Sequence, residues 1–263
     1  MIFYLTVSCL SRNQTSRLTR AWRLAHVAAH FTYAAGVAGL GYPFMTVARL
    51  RRALQRWSAG LARHLATNLT VHGEPPPRDA PFLLVANHVS WLDIFAVNAA
   101  VPTRFVAKSD VRRWPLVGWL CVKADTLFIE RGRPRDLARI DALITEALRG
   151  EDGAGAGMSV FLEGTTTDGT QVLPFHSSLL RPAQQAGAQV IPVAIQYLRH
   201  DGSICTEAAY DGDKSAMDTL RLMLTQHEIH AHVHFLPSLV TDGVHRKELA
   251  HNTRDAIVRT LNF

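Results

Sequence analysis

Residues 83–97 read LLVANHVSWLDIFAV. An apolar run, Leu83 to Ala86, is cut off by Asn87 and His88, and a second begins at Ile94. With Phe82 in front, the first run reads as a buried strand, and "WLDIFAVNAAV" (91–101) reads as a helix. Ser90 and Asp93 at the start of that helix have the spacing of a capping box, with Asp in the place of Glu. The chain therefore sets an imidazole and a carboxyl at the break between two buried segments.

Outward from this stretch, strand and helix patterns alternate. "TRFVAK" (103–108), "TLFIE" (126–130), "MSVFLEG" (158–164), "QVIPVAIQYL" (189–198) and "AHVHFLPSL" (231–239) read as strands. "WPLVGWLCVKA" (114–124), "RDLARIDALITEALRG" (135–150), "SSLLRPAQQAGA" (177–188) and Arg246 to Leu261 read as helices. Such alternation predicts an α/β fold, a mixed, largely parallel sheet flanked by helices. Sites in these sheets form at the carboxyl ends of strands. Asn87–His88, Glu130–Arg131 and Glu163–Gly164 all fall at such ends, which predicts one shared cleft.

The chain has 263 residues, 48% hydrophobic and 19% charged, which excludes a disordered chain. A net charge of +6 suits an anionic partner. The basic residues are dispersed without aromatic interleaving, so nucleic acid is not expected. Cys9, Cys121 and Cys205 are far apart and odd in number, so they form no disulfide framework or metal-type pair, and they read as packing residues of a reducing compartment.

"MIFYLTVSCL" (1–10) is apolar but lacks the basic start of a signal peptide. From Leu24 to Ala48 there is no Asp, Glu, Lys or Arg. Crossing a bilayer takes roughly 20 apolar residues, but this segment is Ala/Gly-rich and is interrupted by "GLGYP" (39–43). Arg12, Arg17, Arg20 and Arg23 precede it, and Arg49, Arg51, Arg52 and Arg56 follow it. A single span would put one of these clusters on the wrong side of the membrane, whereas a hairpin turning at Gly39–Pro43 keeps both on one side, anchored to anionic headgroups; the plainer alternative is an ordinary buried helix pair. The expected organisation is therefore N-terminal membrane-associated helices over 1–71, a linker "HGEPPPRDAP" over 72–81, and a core domain over 82–263. The expected location is the inner (cytoplasmic) membrane, with the cleft facing the cytoplasm.

An imidazole titrates near neutral pH and can take a proton from a hydroxyl. A carboxylate on its other nitrogen fixes the tautomer and stabilises the cation. His88 and Asp93 make two thirds of a serine-hydrolase triad, with a substrate hydroxyl in place of the serine. The plainer reading is a capped turn histidine beside a capping aspartate. No G-x-S-x-G elbow is present.

"NHVSWLD" (87–93) resembles the first motif, N-H-x-x-x-x-D, of the glycerolipid acyltransferases, typified by the 1-acylglycerol-3-phosphate O-acyltransferases. "TLFIERGRPRD" (126–136), "VFLEGTTTDGT" (160–170) and "VIPVAI" (190–195) resemble the family's further blocks, in order. The resemblance makes 82–263 an acyltransferase domain. It implies that His88 is the general base and Asp93 its partner. It implies that Arg131 binds the anionic head of the acceptor, and that Glu163, Gly164 and Thr165 position that acceptor. The implied reaction moves a fatty acyl group from acyl-CoA or acyl carrier protein to a lysolipid, foremost 1-acyl-sn-glycerol-3-phosphate, giving phosphatidic acid. No cofactor beyond the acyl thioester and no metal are implied.

Two departures bear on the acceptor. Leu162 stands where the family has Pro, and Thr166 where it has Arg. "EGTTTDGTQVLPFHSSLL" (163–180) resembles a subgroup that includes lyso-ornithine lipid acyltransferases, with His176 where many members carry Lys. The rivals from other classes are a non-catalytic membrane-binding protein and a lipid hydrolase. "HEIHAHVHF" (227–235) sets His230, His232 and His234 on one strand face, a pattern that can bind metal but reads more simply as an exposed or interface face. "GEDGAGAG" (150–157) lacks the G-K-[ST] of a phosphate loop and reads as a connection. Lys108, Arg112 and Arg113 beside Trp114 suit an acidic carrier, CoA phosphates, a membrane surface or a plain solvated face.

Overall fold

The structure, a computed structural model, describes residues 14–77, 80–130, 134–150 and 157–263. The apolar start, Cys9, Arg12, Arg131 and most of the 150–157 connection lie outside the described residues.

Seven strands form one sheet among the described residues. They are β1 (Thr67–His72), β2 (Phe82–Ala86), β3 (Arg104–Lys108), β4 (Leu127–Ile129), β5 (Gly157–Phe161), β6 (Gln189–Leu198) and β7 (Ile229–Phe235). Their order is β1-β7-β6-β2-β5-β3-β4. From β6 to β4 all neighbours are parallel. β7 opposes β6, and β1 runs parallel to β7. β2, at the centre, is buried at all five residues, as a strand covered on both faces must be.

The helices are α1 (Arg17–Gly36), α2 (Val47–His64), α3 (Leu92–Ala100), α4 (Val117–Lys123), α5 (Pro134–Arg149), α6 (Arg181–Gln185), α7 (Ala216–Thr225) and α8 (Arg246–Leu261). Phe82, Leu84 and Ala86 point to one face of the sheet with Val193, Ile195 and Val233, against Leu61 and Leu65 at the end of α2, Leu92 and Ala96 of α3, and Met223 of α7. Leu83 and Val85 point to the other face, against Ile140 and Ile144 of α5, Ala183 of α6 and Leu249 of α8. The expected strand–helix alternation thus appears as a sheet between two helical layers.

Two elements escaped the periodicity reading. β1 takes in the end of the 1–71 stretch and His72, the first residue of the expected linker, so the N-terminal stretch contributes a strand to the core sheet. Its signal is only Leu69 and Val71 among polar residues, which suits an edge strand with little burial. The sequence patterns do not mark α7, although Ser215 and Asp218 form a full capping box at its start.

α1 leads through a π-helical turn, Val37–Gly41, and a 3-10 turn, Tyr42–Phe44, into α2. α2 runs back along α1. His30 Nε2 lies 2.8 Å from the Trp57 carbonyl, and Trp57 Nε1 donates to the His30 carbonyl at 3.2 Å. Gly60 sits beneath the His30 ring, where a Cβ would come within 2.7 Å of Cε1. No helix among the described residues is long and apolar enough to cross a membrane. Arg23, read as a headgroup anchor, instead turns inward and donates to the carbonyls of Gln226 and His227 at 2.6 and 2.9 Å, just past the end of α7.

Candidate active site

β2 ends at Ala86, and the turn that follows is tied down on several sides. The Asn87 amide extends the ladder to β6: Nδ2 donates to the Ile195 carbonyl at 2.9 Å, and Oδ1 accepts from the Ile195 N–H at 2.7 Å. The Thr167 N–H donates to the His88 carbonyl at 2.9 Å, and the Tyr210 N–H to the Val89 carbonyl at 2.8 Å. The backbone of this turn is therefore held by the chain after β5 and by the chain before α7.

Asp93 lies fully buried in the first turn of α3. Its Oδ2 lies 2.8 Å from His88 Nδ1 and accepts the N–H groups of Val89 and Ser90 at 2.8 and 2.9 Å. Its Oδ1 accepts the Tyr197 hydroxyl at 2.7 Å. An unpaired carboxylate buried this deeply would cost several kcal/mol, and these donors offset that cost. Burial, and then the Asp93 charge, push the Tyr197 phenol well above its ordinary range, so it stays a donor. A carboxylate only accepts, so this network assigns the proton to His88 Nδ1 and leaves a lone pair on Nε2. Nε2 has no hydrogen-bond partner among the described residues, and the side chain is 21% exposed. The ring stacks on Phe161, the last residue of β5, with centroids 3.9 Å apart.

The capping box read at Ser90 is half present. The Ser90 N–H donates to Asp93, but its hydroxyl is buried without a partner among the described residues. Trp91 is the N-cap residue of α3. The Asp93 oxygen that would complete the box is shared with His88, so a helix-start signature here also serves the imidazole. The serine hydroxyl nearest in sequence to His88 is not hydrogen-bonded to it, so no Ser–His–Asp relay is assembled at this position.

Glu163 follows β5 and is 4% exposed. Oε1 accepts the His88 N–H at 2.6 Å, and Oε2 accepts the Leu173 N–H at 2.7 Å. Burial pushes its carboxyl up to about 7, against these two donors and the Arg254 charge. Arg254 of α8 donates to the carbonyls of Val172 and Leu173, at 2.6 and 3.0 Å in its shortest contacts. One carboxylate thus joins the turn after β2 to the loop after β5. Gly164 has φ +76°, and a Cβ there would lie 3.3 Å from His176 Cδ2, so glycine suits the position on both counts. Thr165 is exposed. Thr166 turns inward and donates to the Tyr210 carbonyl.

His88, Asp93 and Glu163 are therefore brought together, with Gly164 and Thr165 beside them in the chain. The third break, after β4, lies two strands beyond β5, and Arg131 lies outside the described residues. The Glu130 N–H there donates to Asp136 Oδ2 at 2.5 Å. Sequence reading missed Tyr197, Phe161 and Arg254. A phenol inside an otherwise apolar strand was the available signal for Tyr197, since a buried hydroxyl needs a partner. Burial raises the Cys205 thiol to about 11 and also raises that of Cys121, so neither offers a thiolate at neutral pH.

The acyltransferase family model matches residues 68–196. The chain is 39% identical over 216 residues to the lyso-ornithine lipid O-acyltransferase of Pseudomonas aeruginosa, covering 82% of this chain and 81% of that protein. It is 33% identical over 201 residues to the 1-acyl-sn-glycerol-3-phosphate acyltransferase of Neisseria meningitidis, covering 76% and 77%. The crystal structure of the 1-acyl-sn-glycerophosphate acyltransferase of Thermotoga maritima matches with a TM-score of 0.69 at 22% identity, over 92% of this chain and 96% of that one. That likeness shows the shared fold, a mostly parallel sheet flanked by helices. The identities and their coverage show more, and the chain belongs to the acyltransferase family of enzymes.

Proposed function

We propose that this protein transfers a fatty acyl group from acyl-CoA or acyl carrier protein to the free hydroxyl of a lysolipid, with His88 as general base. The observation that carries this reading is the 2.8 Å contact between His88 Nδ1 and buried Asp93, with Nε2 left unpartnered among the described residues. Nε2 takes the hydroxyl proton as the oxygen attacks the thioester carbonyl. Asp93 stabilises the imidazolium that forms. The tetrahedral intermediate collapses, the C–S bond breaks, and the departing thiolate takes the proton back from His88. No acyl-enzyme is required. Phe161 and Glu163 hold the ring and its backbone, while Gly164 and Thr165 lie where they can line the acceptor, and Arg131 supplies charge for an anionic head. Holding two substrates together contributes much of the acceleration.

Two acceptors are consistent with this chemistry. 1-Acyl-sn-glycerol-3-phosphate would give phosphatidic acid. Lyso-ornithine lipid is favoured by one observation: Thr166 replaces an arginine and turns its hydroxyl to Tyr210, so that position offers no cation to a phosphate.

The membrane reading rests on surface chemistry. Leu40 and Phe44, at the turn between α1 and α2, are 80% and 82% exposed. Trp119 lies against Gly39 and is exposed beside Trp114, Leu116 and Val122 of the α4 region. Exposed Arg112 and Arg113 flank this apolar surface in the chain. An apolar tip rimmed by cations suits insertion into one anionic leaflet. Acyl thioesters are cytosolic, so the cleft works at the cytoplasmic face of the inner membrane.

The test offers purified protein a labelled acyl thioester with lyso-ornithine lipid and, separately, 1-acyl-sn-glycerol-3-phosphate, beside His88→Ala. Acylation of either acceptor, lost in His88→Ala, supports the mechanism and names the acceptor. Equal activity in His88→Ala removes His88 from the reaction. Free fatty acid in place of diacyl lipid makes the protein a hydrolase.

A further inference from the structure

β7 presents His230, His232 and His234 on the face turned away from its buried Ala231 and Val233. α8 covers β6 on this side, where Ala194 meets Ile257 and Leu261. The β7–β1 margin lies beyond it, and its histidines are only partly buried. β1 adds what the sequence pattern of β7 alone lacked: His72 stands directly opposite His234 in the parallel register. His72 Nε2 lies 2.9 Å from His232 Nδ1, and the rings of His72 and His234 stack with centroids 4.1 Å apart. One ring nitrogen from each of the three lies within 4.8 Å of the others.

We propose that His72, His232 and His234 bind one divalent transition-metal ion of the zinc, cobalt, nickel or copper class, and that this ion fastens edge strand β1 to β7. Tetrahedral zinc with Zn–N bonds of about 2.0–2.1 Å holds its ligand nitrogens about 3.4 Å apart. The 2.9 Å pair is close to that spacing. His234 completes the set by rotating out of its stack on His72, a change its partial exposure permits. Three ligands leave a fourth position for water. An all-imidazole set selects borderline ions over magnesium or calcium, which require oxygen ligands. The ligands stand on paired strands in fixed register, which limits the ordering that binding requires. The adjacent group of His200, Glu228 and His230 is a weaker candidate, because the Glu228 oxygens already accept from His200 Nδ1 at 2.6 Å and Asn68 Nδ2 at 3.1 Å.

The test uses the full chain without a histidine tag, in detergent, stripped with chelator and dialysed. Cobalt(II) titration should show one equivalent bound, with the visible absorption of a tetrahedral nitrogen site, bleached by zinc. Zinc should also raise the melting temperature. His72→Gln and His234→Gln should each remove the absorption and the thermal shift while leaving acyl transfer and far-ultraviolet circular dichroism unchanged, and His230→Gln should retain both metal signals. If His72→Gln fails to fold, His234→Gln carries the comparison. Absence of saturable binding overturns the proposal. So does binding that survives both His72→Gln and His234→Gln, or that is lost only in His230→Gln, which would place the ion at the neighbouring cluster.

Discussion

At the scale of single residues, the candidate site holds two buried carboxyl groups in different surroundings. Asp93 is surrounded by donors and faces the imidazole. Tyr197→Phe removes one donor with little change in shape. Loss of a hydrogen bond to a charged group should lower stability by about 1.5–3 kcal/mol. If Tyr197 also positions Asp93 for His88, kcat falls by about tenfold, close to the 1.4 kcal/mol such a change represents, while KM is unchanged. Steady-state kinetics beside denaturant unfolding separates the two effects. Glu163 braces backbone instead. Its carboxyl is raised to about 7 from the ordinary 4.5, so the native state holds the proton more tightly than the unfolded chain does. The contribution is thus fully present below pH 4.5 and is lost as pH rises toward 7. It amounts to about 3 kcal/mol at most. Urea midpoints measured across this window should fall with pH in the native protein, and this part of the slope should vanish in Glu163→Gln. An unchanged slope would mean that another group titrates there.

At the scale of elements, α3 links the N-terminal helices to the His88–Asp93 pair. Asp93 lies in its first turn, while Gln55 of α2 donates to the carbonyls of Ala99 and Ala100 at its end, at 3.1 and 3.0 Å. α1 is held to α2 through His30, Trp57 and Gly60. Gly60→Val puts side-chain atoms where the His30 ring lies, and such overpacking typically costs about 1–3 kcal/mol. The expected result is a lower melting temperature with faster amide exchange in α1, while the backbone amides of β2 keep their protection. Uniform loss of protection would show instead that the two helices and the sheet unfold as one unit.

At the scale of the whole molecule, Trp119 of α4 lies against Gly39 at the turn between α1 and α2, where Leu40 and Phe44 are exposed. Leu40→Glu with Phe44→Glu should abolish cosedimentation with anionic vesicles and leave the circular dichroism spectrum unchanged. Binding of the unmodified protein should weaken with salt, since charges exposed to solvent are screened over about 10 Å at 0.1 M. Vesicle binding that persists in the double variant would assign attachment to another surface.

The sequence by itself determined the elements around the site and the His88–Asp93 pair. Strand periodicity, helix periodicity and a five-residue spacing are local properties, and α3 begins within that interval. It also carried the alternation that yields a mostly parallel sheet. Only the tertiary structure decided what completes the site. Tyr197 reaches Asp93 across 104 residues, Asn87 reaches Ile195 across 108, and Glu163 reaches His88 across 75. Each pairing depends on β2 lying between β5 and β6, and no local period encodes strand order. The same holds for His72 and His232, 160 residues apart, which meet because β1 closes the sheet edge beside β7. Arginine shows the limit from the other side: Arg23 and Arg17 read alike in the sequence, but the fold turns Arg23 toward the carbonyls past α7 and leaves Arg17 exposed.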